Sequence, residues 1–388
     1  MGTKNTGVLL GVVFVIIGAI FYLEHTKQSS SRGVAADLPI LAIATTSPAK
    51  ETRSGAAPTP AAPDRVSAIA AKAKQFDRAK EFVMPSGFLN TPPFKLADTV
   101  GKKVILLDFW TYSCINCLRT LPYLTAWDKK YRDQGLLIVG VHTPEFDFEK
   151  KYENVSDAVK RLGVLYPVVQ DNDYGTWQAY RNQYWPHKYL IDIDGFIVYD
   201  HIGEGGYDAT EAKIQELLRE RNAVLGKTSI VPSGIVPASS TALGAGSPET
   251  YFGAARNEYL GNGISHKTGT QDFFVPTDLS SNTLYLGGQW NISDQLAENV
   301  KTPNRIVYRY TSRKVFFVAS SINGVRAQVL IDGTPTGVRA GKDVVNGFVT
   351  IKEARLYELV SGSDAGEHTI EIVPESAGVQ AFTFTFGG

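Results

Sequence analysis

The two cysteines, Cys114 and Cys117, limit this chain more than any other feature of its sequence. They are the only cysteines among 388 residues, and two residues separate them. A scaffold held together by several disulfides is excluded, because no other thiol could take part. A four-cysteine zinc site is excluded for the same reason. The two thiols must therefore serve each other, a partner protein, or a metal that also binds histidine.

The sequence around the cysteines predicts a strand that runs directly into a helix. Residues 103–109 (KVILLDF) form an apolar run of strand length, and residues 118–132 have the apolar spacing of a helix. Cys114 then lies at the helix N-terminus, where unpaired N–H groups and the helix dipole stabilise a thiolate. Cys117 lies one turn later, within reach of a mixed disulfide on Cys114. This spacing predicts two-step thiol–disulfide exchange, with the Cys114–Cys117 pair as the redox centre and no separate cofactor.

Residues 76–222 alternate predicted strands and helices and indicate an α/β domain. The run at 135–141 (GLLIVGV) is typical of a buried strand in a mostly parallel sheet. Asp194-Gly195 supplies the turn of a predicted hairpin. Further helices are predicted over residues 155–162, 175–181 and 209–219.

The stretch from Asp108 to Pro122 resembles the thioredoxin superfamily, most closely the membrane-tethered TlpA/ResA and DipZ-type thiol:disulfide proteins. The resemblance covers roughly residues 88–218 and implies a thioredoxin-like fold. It implies that Asp108 is a buried carboxylate that helps to deprotonate Cys117. Burial of an acid inside an apolar run independently predicts a raised pKa for Asp108. Glu145 falls where the resemblance places an active-site glutamate.

Four further residues are expected to meet the substrate. The resemblance matches Trp185 and Pro186 to the cis-proline loop that binds the partner's backbone. It matches Trp110 to the family's aromatic pair, where packing under the active site is favoured over contact with the substrate. Asn116 lies between the cysteines, where contact with a partner and simple surface exposure explain it equally well. Ser113 replaces the tryptophan that many members carry, and Ile115 and Asn116 replace their usual dipeptides. Reductase or isomerase work is favoured, and the direction of electron flow stays open.

The N-terminal region predicts a membrane anchor and a tether. After a short tail of residues 1–6, residues 7–23 (GVLLGVVFVIIGAIFYL) form an uncharged apolar run within the lower range for a spanning helix. A cleaved signal peptide is the alternative, but small residues suited to cleavage appear only at Ala35 and Ala36. Residues 24–75 read as a flexible linker, and a short lead-in helix is predicted over residues 67–78. The resemblance implies that the following domains lie on the periplasmic side of a bacterial cytoplasmic membrane.

A second linker and an all-β domain are predicted after the α/β domain. Residues 223–248 are rich in Gly, Ser, Ala and Pro. Over residues 249–388 short β-rich runs recur, separated by turn residues such as Asp332-Gly333. This pattern is typical of a β-sandwich or jelly roll. DipZ-type proteins append a carbohydrate-binding-like sandwich, so the resemblance extends loosely to this tail.

Three alternative functions stay open. A glycan-binding surface of the β-domain would need exposed aromatic side chains, although strand cores are equally rich in them. Copper handling would combine the two thiols with an imidazole from His142 or His187. A peroxiredoxin-like site would use the T-x-x-C spacing of Thr111 and Cys114, but Leu107 stands where its proline is expected. The aromatic candidates are Tyr251, Phe252, Tyr259, Tyr285, Trp290 and Tyr308.

The net charge and the predicted domains indicate which molecules this protein binds. Lys and Arg number 39, Asp and Glu number 39, and this neutral balance argues against nucleic acid. Protein thiols and disulfides are the expected substrates. The sequence shows no multi-span electron-transfer domain of the DipZ kind. Another membrane protein is therefore expected to donate or accept the electrons.

Overall fold

The computed structural model describes residues 64–237 and 246–387. Among these residues no helix is long and apolar enough to cross a membrane. The predicted tail and anchor, residues 1–23, lie outside the described residues, as does most of the first predicted linker.

The first domain is built on a six-stranded mixed sheet with the strand order β1-β4-β3-β2-β5-β6. Its strands are β1 (Gly87–Leu89), β2 (Val104–Trp110), β3 (Leu136–His142), β4 (Val168–Gln170), β5 (His187–Ile191) and β6 (Ile197–Ile202). The helices are α1 (Arg65–Gln75), α2 (Ile115–Tyr131), α3 (Tyr152–Arg161), α4 (Gly175–Ala179) and α5 (Tyr207–Val224). Short 3-10 turns cover Leu96–Thr99 and Asp147–Lys150. The α/β architecture predicted from the sequence is confirmed.

Strand β2 lies in the middle of this sheet and positions the cysteine motif. It pairs in parallel with β3 and antiparallel with β5, and all seven of its residues are buried. Leu106 and Trp110 enter one core cluster, whereas Leu107 and Phe109 enter the cluster on the opposite face. Full burial of each such side chain contributes roughly 1.5–3 kcal/mol to folding. The strand end is therefore a rigid support for the turn that leads to Cys114.

Helix α1 corresponds to the short helix predicted at the end of the first linker. None of its residues is buried. Lys72 Nζ lies 2.5 Å from Asp192 and 2.9 Å from Asp194, and it also pairs with Glu220. Burial tends to lower the pKa of Lys72, but these three carboxylates raise it overall. The helix is thus held to the first domain mainly by charge.

The second domain is a large antiparallel β-structure in which 13 described strands connect into one continuous sheet. Its core contains side chains such as Trp290, Tyr308, Phe317 and Phe384. The β-rich character is confirmed, and the sandwich arrangement stays a prediction. The strands are β7 (Thr250–Tyr251), β8 (Gly269–Phe273), β9 (Thr283–Ile292), β10 (Ala297–Asn299), β11 (Arg305–Thr311), β12 (Lys314–Ser320), β13 (Val325–Ile331), β14 (Thr334–Pro335), β15 (Val344–Val345), β16 (Phe348–Ile351), β17 (Arg355–Ser361), β18 (Glu367–Pro374) and β19 (Gln380–Gly387).

The two domains share an apolar contact next to the cysteine motif. The ring centroid of Phe382 lies 5.1 Å from that of Phe146 and 4.8 Å from that of Phe148. Phe316 and Leu356 of the β-domain belong to the same buried cluster as Trp127 of α2. The β-domain therefore packs directly on the domain that carries the cysteines.

Part of the second predicted linker also packs on the first domain. The backbone N–H of Val236 donates to the carboxylate of Glu211 at 2.6 Å. Gln215 and Lys130 both donate to the carbonyl of Gly234. These bonds fix the path of the chain between the two domains up to residue 237.

Candidate active site around Cys114 and Cys117

Cys114 is the N-cap of helix α2 and the more accessible of the two thiols. Its Sγ accepts a hydrogen bond from the backbone N–H of Cys117 at 3.3 Å. The same sulfur lies 3.9 Å from the carbonyl oxygen of Trp185. The Trp185–Pro186 peptide bond is cis, as the resemblance implied. The structure thus brings together the helix N-terminus, the first thiol and the proline loop.

Cys117 is buried directly behind Cys114 and is 1% exposed. Burial raises the pKa of its thiol well above the usual value, and the neighbouring Cys114 and Asp108 raise it further. A buried and protonated thiol is a poor primary nucleophile. These surroundings match the resolving role predicted for Cys117, since it can react with a disulfide already formed on Cys114.

Asp108 lies in the middle of strand β2, and its exposed fraction is 1%. Neither carboxylate oxygen has a hydrogen-bond partner among the described residues. Burial raises the pKa of Asp108 to about 7, and the charge of Lys188 partly opposes this shift. The predicted burial and raised pKa are confirmed.

Lys188 is a site residue that the sequence interpretation missed. It stands opposite Asp108 in the antiparallel register of β2 and β5 and has no exposed surface. Its Nζ donates to the carbonyl of Gly203 at 2.8 Å, and burial lowers its pKa. The sequence does show a lysine within a predicted buried strand, which marks it as unusual. Its position opposite Asp108 could not be predicted, because the pairing of β5 with β2 depends on tertiary structure.

Glu145 reaches from the first domain to the β-domain. Its Oε1 accepts hydrogen bonds from the Tyr251 hydroxyl and from Arg256 Nη1, each at 2.8 Å. The sequence placed Glu145 at the active site, and the structure places it on the wall of the same cavity as Cys114. Its two partners, Tyr251 and Arg256, belong to the β-domain, which lies outside the stretch that resembles the thioredoxin superfamily.

Glu149 is another residue near the site that the sequence interpretation missed, after Lys188. It is fully buried and accepts from the Ser113 hydroxyl at 2.6 Å and from the backbone N–H groups of Glu145 and Phe146. Burial raises its pKa to about 6, against the opposing hydrogen bond of Ser113. Glu149 thereby fixes the residue before Cys114 and the loop that carries Glu145.

A cavity of about 500 Å³ opens over Cys114 between the two domains. On the first domain it is lined by Cys114, Ile115, Asn116, Arg119, Glu145, Trp185 and Glu204. On the β-domain it is lined by Ser247, Glu249, Tyr251, Arg256, Thr385 and Phe386. The accessible thiol therefore faces a half-open space with both polar and apolar walls, in which a disulfide can be held.

Each domain is similar to a known protein family. Residues 59–200 match the AhpC/TSA family, and residues 247–387 match the thioredoxin like C-terminal domain family. The α/β domain is thioredoxin-like. The chain is 37% identical over 307 residues to Protein DipZ of Mycobacterium bovis, which covers 78% of this chain and 42% of that relative. It thus spans about two fifths of the length of the DipZ proteins it matches.

Other similarities cover about a third of the chain. The thiol-disulfide oxidoreductase YkuV of Bacillus subtilis is 27% identical over 121 residues, which are 31% of this chain and 81% of the relative. The solved structure of a thiol:disulfide interchange protein DsbE from Chlorobium tepidum has 27% identity and a TM-score of 0.33. It covers 37% of this chain and 96% of its own.

Trp110 and Asn116 differ in whether a substrate can reach them: Trp110 is buried, and Asn116 lines the cavity. Trp110 has no exposed surface and packs edge-on against His142, with ring centroids 5.4 Å apart. Contact between Trp110 and a substrate is therefore not possible in this structure, because the strand end buries the indole. Asn116 lines the cavity, and its Oδ1 accepts a hydrogen bond from Arg119 at 2.5 Å.

Neither His142 nor His187 lies where it could bind a metal ion together with the two cysteine thiols. His142 is buried between aromatic rings, and burial lowers its pKa to about 3. His187 bonds to Asn182 and Asp200 instead. Among the described residues, the only cluster with metal-ligand geometry is Asp192, Asp194 and Glu220, and the Lys72 ammonium group already pairs with all three. The ligand set expected for copper handling is thus not assembled around Cys114.

Most of the aromatic residues considered for glycan binding lie in the core of the β-domain, which was the alternative explanation for them. Phe252, Tyr285, Trp290 and Tyr308 are buried in the β-domain, because each points inward from its strand or loop. Tyr251 lines the cavity over Cys114, and Tyr259 alone of the six is well exposed. The aromatic residues of this domain mostly form its core.

Proposed function

We propose that this protein is a thiol:disulfide oxidoreductase that acts on protein disulfides, in the reducing or isomerising direction. One observation carries the proposal: an accessible thiol at a helix N-terminus stands in front of a buried thiol, with an unpaired buried carboxylate behind both. The thiol-disulfide oxidoreductases among its relatives support the same activity.

The exchange proceeds in two balanced steps. The Cys114 thiolate attacks one sulfur of the substrate disulfide, forms a mixed disulfide and expels the first substrate thiolate, which takes up a proton. Cys117 then loses its proton and attacks Cys114 Sγ, forming the Cys114–Cys117 disulfide and expelling the second substrate thiolate. Two electrons pass from the dithiol to the substrate, so that one disulfide is reduced and another is formed.

Asp108 supports the second step by accepting the proton of Cys117. A general base works best when its pKa lies near the working pH, and that of Asp108 is about 7. The loop at Trp185 and Pro186 holds the substrate backbone beside Cys114, where the Trp185 carbonyl lies close to the sulfur. No cofactor is required besides the cysteine pair.

The wider setting is also part of this proposal. Residues 7–23 anchor the chain in a bacterial cytoplasmic membrane after the tail of residues 1–6, and residues 24–75 tether the domains on the outer side. The thioredoxin-like domain covers residues 76–222, a linker covers 223–248, and the β-domain covers 249–388. A separate membrane protein exchanges electrons with the Cys114–Cys117 pair.

The test is reduction of a symmetric peptide disulfide by the full chain in detergent, with dithiothreitol as electron source. We expect Cys114→Ser to lower the catalysed rate roughly a thousandfold, because the attacking thiol is lost. Equal rates for the wild-type protein and Cys114→Ser would contradict the proposal. Consumption of hydrogen peroxide without peptide reduction would instead favour the peroxiredoxin-like alternative.

A further inference from the structure

The charges that line the cavity over Cys114 do not balance. Five charged side chains line it: Arg119, Glu145, Glu204, Glu249 and Arg256. Three are carboxylates and two are guanidinium groups. What the cavity prefers to bind depends on which of them already have partners.

Two nitrogens of the Arg119 guanidinium bond to Glu204 on the wall of the thioredoxin-like domain. Its Nε lies 2.6 Å from Glu204 Oε2, and its Nη2 lies 2.7 Å from Glu204 Oε1. Nη2 also donates to Asn116. Such a two-pronged pair is geometrically specific and strong for an ion pair. Arg119 and Glu204 therefore neutralise each other.

Arg256, on the wall contributed by the β-domain, also has partners within the protein. Its Nη1 bonds to Glu145 at 2.8 Å, and its guanidinium lies 3.7 Å from the centre of the Tyr251 ring. The Tyr251 hydroxyl donates to the same carboxylate. An ion pair, a cation–π contact and a hydrogen bond thus hold Arg256, Glu145 and Tyr251 together. The positive charge of each arginine is thus already paired with a carboxylate of this chain, Arg119 with Glu204 and Arg256 with Glu145.

Glu249 is the carboxylate that remains. It forms no ion pair with any described residue, and it is exposed to solvent at the cavity wall contributed by the β-domain. The Tyr251 hydroxyl and the charge of Arg256 favour its charged form, but Arg256 makes its ion pair with Glu145. We infer that Glu249 selects substrates whose reactive cysteine is flanked by lysine or arginine. The proposed substrates are thus basic protein segments that place a cation opposite Glu249 while their disulfide meets Cys114. This inference rests on the proposed oxidoreductase function.

The protonation state of Glu249 adds a dependence on pH. Burial of its carboxylate and the neighbouring Glu145 raise the pKa of Glu249 to about 7, against the Tyr251 hydroxyl and the Arg256 charge, which lower it. Glu249 is therefore mostly charged above pH 7 and mostly neutral below it. The preference for basic substrates is expected to be stronger at pH 8 than at pH 6.

The test compares three peptides, each with one cysteine, prepared as symmetric disulfides and flanked by lysine, glutamine or glutamate. The full chain reduces each peptide, and each rate is divided by the rate with dithiothreitol alone, which removes intrinsic differences in reactivity. We expect the wild-type protein to favour the lysine peptide over the glutamate peptide about tenfold at low salt. This preference should shrink at high salt.

Three variants make the test decisive. Glu249→Gln is expected to bring the ratio of rates close to one, and Glu249→Lys to reverse it. Glu258→Gln makes the same chemical change at an exposed residue of the same domain outside the cavity, and should keep the tenfold preference. An unchanged ratio in Glu249→Gln, or no preference in the wild-type protein, would overturn the inference. Failure to reduce even the glutamine peptide would instead overturn the proposed function.

Discussion

Replacing Cys117 by serine is expected to trap substrates on the protein and to lower turnover roughly a hundredfold or more. Cys114 can still attack a disulfide in this variant, but the thiol that would release the product is missing. The chain has no third cysteine that could replace it. The adducts are measured by non-reducing electrophoresis and by the intact mass of the full chain after exposure to a peptide disulfide.

Cys114→Ser is the matched control for this trapping experiment. It leaves Cys117 as the only thiol, and that thiol is 1% exposed with a pKa raised by burial. We therefore expect no stable adduct in the control. Equal trapping by the two serine variants would mean that the accessible and the buried thiol do not have the assigned roles.

Asp108→Asn is expected to stabilise the folded protein by roughly 3–4 kcal/mol at pH 8 and by little near pH 4. The folded-state pKa of Asp108 is about 7, against an ordinary value of 3.8. The folded state therefore keeps a proton that the unfolded chain releases as the pH rises above 4. The stability that depends on this proton is lost progressively between pH 4 and pH 7, and asparagine removes that loss.

This prediction is measured by denaturant unfolding of the full chain at both pH values. Asp157→Asn serves as control, because the Asp157 side chain is 80% exposed and its loss should not change the pH profile. If the free energy of unfolding changed with pH in the same way for the wild-type protein and Asp108→Asn, burial of the Asp108 carboxylate would not destabilise the folded protein, and the prediction would be wrong. The same variant should slow release of mixed disulfides, since asparagine cannot accept the Cys117 proton.

The cysteine motif could be predicted from the sequence because its geometry is local. Strand β2 is a continuous apolar run, and the helix with Cys114 at its N-cap follows within a few residues. The burial of Asp108 follows from the same run. These features depend on residues close together in the chain, where hydrophobic periodicity is most informative.

The rest of the site depends on contacts between distant residues. Lys188 faces Asp108 only through the β2–β5 register, and Glu145 meets Tyr251 across 106 positions of sequence. The placement of Glu249 over Cys114 requires the β-domain to pack on the thioredoxin-like domain. The aromatic residues show the same limit, because β-propensity does not tell which face of a strand is buried. Trp290 accordingly lies in the core.

The most direct test of the central claim is a redox titration of the Cys114–Cys117 pair in the full chain. Tryptophan fluorescence follows the change, because Trp185 lies beside Cys114, and glutathione or dithiothreitol buffers set the potential. We predict a two-electron transition with a midpoint near that of thioredoxin, about −270 mV, as expected for a reductase. A midpoint near −120 mV would contradict the reducing direction. The absence of any disulfide between Cys114 and Cys117 across the whole range would contradict the account itself.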